Sequence, residues 1–357
     1  MINKTRNIQM DILRGIGIIL IVLGHCGFPQ THFLYLFHLA IFFIVSGYFF
    51  KEEHVKDKES LKKFIINKIK RLYLPFVIGN IICVLLNNFF INVNLYSNLT
   101  HSYYSIKEII INILKVILFR GHTEMLGATW FLQILFIITI AYAIIEFIIK
   151  KYSIKTKTVI QLVVSLIFFS IGYYLVAKNI NIKIISSQVL TCYILFDFGR
   201  KISKYKMETK DSTKMLIMIT SFMLLVILNK LGTIELSQHK YTNPIYFISV
   251  SILGWYFIYE LSYFVSKTKK LASSLQYIGE NTMPIIFCHF FAFKIINLIG
   301  VLILNKDITM ISTFPVLFKD FYWWIIYALA GVMIPMLLNK IKNILQDYTV
   351  IKLKMKG

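Results

Sequence analysis

The chain has 357 residues, 57% of them hydrophobic, with a mean hydropathy of +0.68. That is too apolar for a water-soluble domain of this length, and many windows exceed the ~18 apolar residues that cross a bilayer. The net charge of +22, from 39 Lys and Arg against 17 Asp and Glu, reads in such a chain as a positive-inside bias, which excludes a nucleic-acid footprint.

Lys4 and Arg6 precede the first apolar run, as in a signal peptide, but no small-residue cleavage site follows, so the run reads as an uncleaved first span. The spacing predicts spans over 12–28 and 33–50, joined by a tight hairpin. Residues 51–71 are charged, with Leu61, Phe64, Ile65, Ile69 and Leu72 on one face. They predict an amphipathic cytoplasmic helix on the membrane surface, within a segment 51–72.

A third span is expected over 73–94, with Pro75 in its first turn, where a missing N–H costs nothing. Residues 95–129 form an outer re-entrant or interfacial region; their apolar run, 106–119, is too short to cross. Further spans are expected over 130–149, 159–177, 185–198, 215–228 and 244–265. The last two are 283–304, capped by Asn281 or Thr282, and 321–338, led by interfacial aromatics. Cys26, Cys83, Cys192 and Cys288 lie in apolar segments without metal-ligand spacing, so no zinc site or disulfide framework is expected.

With the N-terminus inside, the inner loops carry about three Lys or Arg for every one in the outer loops, and the bias alternates along the chain. The expected fold is therefore an all-α polytopic bundle of about ten transmembrane helices with both termini cytoplasmic. It is read as a single domain, 1–357, in a plasma membrane.

Ionisable residues inside spans are functional candidates by default. Arg14 and His25 are about three helical turns apart, roughly 16 Å along the axis, and Asp11 stands one turn before Arg14 on the same stripe. His38 enters the second span at a depth close to that of His25. Arg14 suits an anionic donor from the cytoplasm. His25 suits a general base for an acceptor hydroxyl from outside, and the separation is comparable to an extended pantetheine arm. Ser46 and Gly47 read as a place where helices approach closely. No serine–base–acid arrangement is visible, which favours direct transfer over an acyl-enzyme. Glu146 and Asp197 read as interfacial, and counting from its helix end puts His289 in the inner half.

The run Asp11-x-x-Arg14-Gly15, ten residues between Arg14 and His25, and FHLAIFFIVSGYFF after it resemble the acyltransferase-3 family of membrane acyltransferases. The branch most similar is the fucose-4-O-acetylase-like sugar O-acetyltransferases. KIKRLYLP at 68–75, ATWFL at 128–132 and LQYIGENTMPIIFCH at 275–289 extend the likeness along the chain. The resemblance implies transfer of acetyl from cytoplasmic acetyl-CoA, without a metal, to a sugar hydroxyl. The acceptor would be a cell-surface polysaccharide, such as a capsule or exopolysaccharide, or its lipid-linked precursor.

By position, the resemblance makes His25 the catalytic base; His38, at a similar depth, is a second candidate in the same site. Arg14, Asp11, Lys68 and Arg71 become the donor-binding set. His122, Glu124 and Trp130, in or beside the outer region, are candidates for contacting the sugar. The implied partners are the lipid bilayer, the donor, the glycan acceptor and other glycan-assembly proteins, with no nucleic acid. The competing readings are a transporter or flippase for a glycan or small anion, and a membrane scaffold. A transporter predicts inverted repeats with broken helices, and none is visible.

Overall fold

A computed structural model describes residues 7–180, 186–205, 209–320 and 322–354, with backbone alone over 347–354. Lys4 and Arg6 lie outside the described residues, as do 185 and 321, where the sixth and tenth spans were expected to begin. The first helices are α1 (Ile8–His25), α2 (Thr31–Tyr35), α3 (Ala40–Tyr48), α4 (Lys58–Lys68) and α5 (Leu74–Leu85). They are followed by α6 (Asn87–Asn92), α7 (Ile106–Ile117), α8 (Trp130–Ile148), α9 (Ile154–Ala177) and α10 (Ser187–Ile202). The last are α11 (Asp211–Leu228), α12 (Pro244–Ser266), α13 (Lys269–Glu280), α14 (Thr282–Ile303) and α15 (Trp323–Lys354). A small ribbon, β1 (Ile234–Glu235) and β2 (Lys240–Tyr241), is antiparallel.

Among the described residues, 8 helical segments have the length and apolarity to cross a membrane. All correspond to expected spans. The other two expected spans are helical but fall short. The 73–94 segment breaks into α5 and α6 at Leu86, and α10 has 16 residues.

The chain divides into two compact units. The first takes the described residues of Met1–Gly17, His32–Ile78 and Thr129–Gln276. Its centre is the crossing of α3 and α10. A Cβ on Gly47 would fall on the Phe196 carbonyl, and a Cβ on Gly199 on the Ile44 carbonyl. The two backbones therefore touch, in the manner of small-residue helix crossings in membranes. Gly172 does the same for α9, where a Cβ would meet Thr191 of α10 at 2.7 Å.

Beside this crossing runs a buried polar network. Gln161 donates to Glu146 at 3.0 Å and accepts from the Tyr193 hydroxyl at 3.0 Å. Tyr142 donates to Asp197 at 3.1 Å, and Lys201 pairs with the same carboxylate at 2.6 Å. Glu146 and Asp197 are thus buried members of an interhelical network rather than interfacial residues.

Within the charged stretch a helix forms over Lys58–Lys68. Asp57 caps α4 by accepting from the Ser60 amide, and Phe64 turns inward onto Phe50 and His54. Glu52, just before α4, meets Lys157 at 3.4 Å, Arg200 at 3.2 Å and Lys204 at 3.7 Å. Burial pushes the Glu52 carboxyl up, and these three cations outweigh it and hold it below the usual range.

One expectation fails here. No new helix begins at Tyr73. The chain runs from α4 through a π-helical turn, Ile69–Tyr73, directly into α5, and the Leu74 N–H reaches back to the Ile69 carbonyl. Pro75 lacks the N–H that an unbroken α-helix would use, and a widened turn just before it accommodates that loss.

The second unit takes Ile18–Thr31, Gly79–Ala128 and the described residues of Tyr277–Gly357. Here α14 packs on α15, with Gly331 against Phe293 and Val22. Asn281 precedes α14 but caps nothing; its side chain donates to the Tyr277 carbonyl and accepts from Asn339. The Lys294 ammonium, buried within α14, donates to the carbonyls of Ile311, Ser312 and Thr313 at 3.0, 2.8 and 3.0 Å. Asn297, one turn on, donates to the Ile311 and Thr313 carbonyls of the same turn. The segment between α6 and α7 is laced down by Asn87 and Asn88, which bond the backbone of Ser102 and Tyr104. Helix α7 opens on a Ser105–Glu108 capping box and exposes Ile106, Ile110, Leu114 and Leu118 along one side.

Candidate active site

The ionisable candidates gather in two clusters, one in each unit. In the second unit α1 ends on His25, half-buried. The imidazole of His289, seven residues into α14, stacks on it with ring centroids 5.7 Å apart and planes inclined by 28°. Phe290 stands edge-on to His25 at 5.1 Å, and Phe293 and Phe314 extend the aromatic wall. His289 is 0% exposed. Its Nδ1 lies 2.8 Å from the Ile285 carbonyl, which can only accept, so the proton sits on Nδ1. Its Nε2 is then a buried lone pair, and it finds no hydrogen-bond partner among the described residues. Helix-end counting placed His289 away from His25; the stacking brings them to one place.

In the first unit α1 carries Asp11 and Arg14, which approach to 3.5 Å. Asp11 is buried, and the Arg14 side chain keeps 32% exposure. Lys68, the last residue of α4, stands at the π-helical turn with its ammonium over the Phe64 ring. Burial, and then the charges of Arg71 and Arg14, push that ammonium down to about 8. Three cations from α1 and the α4–α5 junction therefore gather here, and the charges of Arg71 and Arg14 both act on Lys68. Such a cluster is built to take an anion.

The remaining candidates separate. His38, in the first unit, is buried; its Nδ1 bonds the Leu34 carbonyl at 2.9 Å and its ring stacks on Tyr35. These contacts place it at the break between α2 and α3. Trp130 opens α8, half-buried, in the same unit. In the second unit Glu124 lies 3.9 Å from His101, which stacks on Tyr96. His122 is exposed beside Thr123, whose amide and hydroxyl both donate to Asn80. The sequence reading missed the His25–His289 pair. Its only trace was that a motif used for recognition, 275–289, ends on a histidine.

A family model described as an acyltransferase domain matches residues 7–340, nearly the whole chain. No curated protein and no solved structure gives a significant match. With an imidazole pair, a cationic cluster and several membrane-spanning helices under that match, the protein is an acyltransferase, and the chain belongs to the acyltransferase-3 family of membrane acyltransferases.

Proposed function

We propose that the protein is a fucose-4-O-acetylase-like O-acetyltransferase of the plasma membrane. It crosses the bilayer ten times, with both termini cytoplasmic. It moves acetyl from cytoplasmic acetyl-CoA to a sugar hydroxyl of a cell-surface polysaccharide or its lipid-linked precursor. The observation that carries this reading is that one unbroken helix, α1, bears both a cationic residue of the anion cluster and the imidazole of the buried pair. Their helical separation of roughly 16 Å matches the reach of a pantetheine arm.

Arg14, Lys68 and Arg71 hold the phosphates of the donor, and Asp11 orients Arg14. His25 takes the proton of the acceptor hydroxyl. The hydroxyl oxygen bonds to the acetyl carbon, the carbon–sulfur bond breaks, and the leaving thiolate takes the proton back from His25. Glu124, His122 and Trp130 are carried as contacts for the outer sugar. The bilayer and other glycan-assembly proteins are the expected partners.

The test is the NMR spectrum of the surface glycan from wild-type and deletion cells. Loss of O-acetyl signals with the glycan still exported is the expected result. A glycan trapped inside the deletion strain would instead favour the transporter.

A second measurement addresses the donor site. Because Lys68 is depressed to about 8, it loses its charge as pH rises through that value. Acetyl-CoA affinity should hold from pH 7 to 8 and weaken above. One charged hydrogen bond contributes about 1.5–3 kcal/mol, so the loss approaches tenfold or more. Lys68→Arg keeps its charge over this range and should flatten the profile of KM against pH. A flat wild-type profile would remove Lys68 from the donor site.

A further inference from the structure

The unpartnered Nε2 of His289 has a consequence for the acceptor. A fully buried polar atom without a partner is disfavoured, and such atoms in folded proteins call for an explanation. With Nδ1 committed to the Ile285 carbonyl, Nε2 can only accept. It cannot stabilise a developing oxyanion, which needs donors. What it lacks is an O–H or N–H arriving from outside the protein. The neighbouring His25 takes the proton of the reacting hydroxyl, so that same proton cannot also go to His289.

We propose that His289 is a specificity-determining positioning residue whose Nε2 accepts a hydrogen bond from a second hydroxyl, adjacent to the one that reacts, so that the acceptor is a vicinal diol. The proposal rests on the acetyl-transfer reading above. The geometry suits it. Adjacent sugar hydroxyls have oxygens about 3 Å apart, and each reaches a ring nitrogen over about 2.8 Å. That span bridges two imidazoles whose centroids are 5.7 Å apart. His289 exchanges no proton during the reaction; it holds the diol so that the other hydroxyl meets His25. A site built to bond a substrate hydroxyl rejects an analogue lacking it far more strongly than an apolar pocket discriminates shape.

The first arm uses wild-type cells. NMR should locate the O-acetyl group on a carbon whose neighbour carries a free hydroxyl. An acetyl group on an isolated hydroxyl, with both neighbouring positions substituted, would overturn the proposal. The second arm compares His289→Gln with His289→Phe, scaled to the amount of tagged protein in the membrane. Gln restores a buried acceptor, so its O-acetyl content should stay within about fivefold of wild type, while Phe should fall more than tenfold. A packing role predicts the reverse order, because Phe matches the surrounding phenylalanines. That order, or wild-type content in both variants, would show that Nε2 holds only a trapped water. If the deletion strain keeps its O-acetyl groups, the transfer reading fails. If it loses them and the acetyl position or variant order is wrong, the diol alone fails.

Discussion

His25→Ala is expected to lower O-acetyl transfer to the glycan by about 10²–10⁴-fold, the contribution of a positioned general base. The protein should still accumulate in the membrane. His25 is half-buried at the very end of α1, and Phe290 keeps its contacts with Phe293 and Phe314 when that imidazole is removed. Loss of activity with normal protein level therefore separates chemistry from folding. The measurement is O-acetyl content of the exported glycan beside an immunoblot of the membranes. Wild-type acetylation in the variant would exclude His25 as the base. A scaffold that merely organises glycan assembly makes that opposite prediction, since it has no use for an imidazole.

The largest stability effect belongs to the α3–α10 crossing. In Gly47→Ala the new methyl carbon would lie on the carbonyl of Phe196, and in Gly199→Ala on that of Ile44. Both obstacles are backbone atoms held in helical hydrogen bonds, so no rotamer change relieves them. The helices must separate along their whole contact, which also disturbs the Tyr142–Asp197–Lys201 network on α8 and α10. The expected cost is about 4 kcal/mol or more, in the class of severe overpacking. Thermal unfolding of the detergent-solubilised protein reports it. Gly121→Ala is the control, because a Cβ there meets only Lys115, at 3.6 Å. A Gly47→Ala protein that melts with the wild type would mean that the crossing is looser than described.

The spans were legible because continuous apolar length is a local property. So was the Gly47 contact, since a small residue beside Ser46 in an apolar run signals close approach. A helix with Phe64 turned inward was legible from the spacing of the apolar residues around it. What failed was context that only pairing supplies. Pro75 reads identically as the start of a helix or as a proline inside one, and only the continuous path of α4 into α5 decides. Glu146 and Asp197 look interfacial beside basic loops, yet Gln161 bonds the first, and Tyr142 and Lys201 bond the second. His25 and His289 are far apart in sequence, and periodicity names the face of a helix without naming what stands opposite. Counting turns from predicted ends misplaced His289 for that reason.

Lys294 shows how a fixed charge can take the place of a dissolved one. Its ammonium lies among three carbonyl oxygens of 311–313, the ligand set a protein would otherwise offer a potassium or sodium ion. Here the cation is covalently part of α14. The turn it gathers therefore draws on no ion from the medium. Contacts this deep are also little screened. The segment after α14 should consequently keep its shape as ionic strength and cation content change.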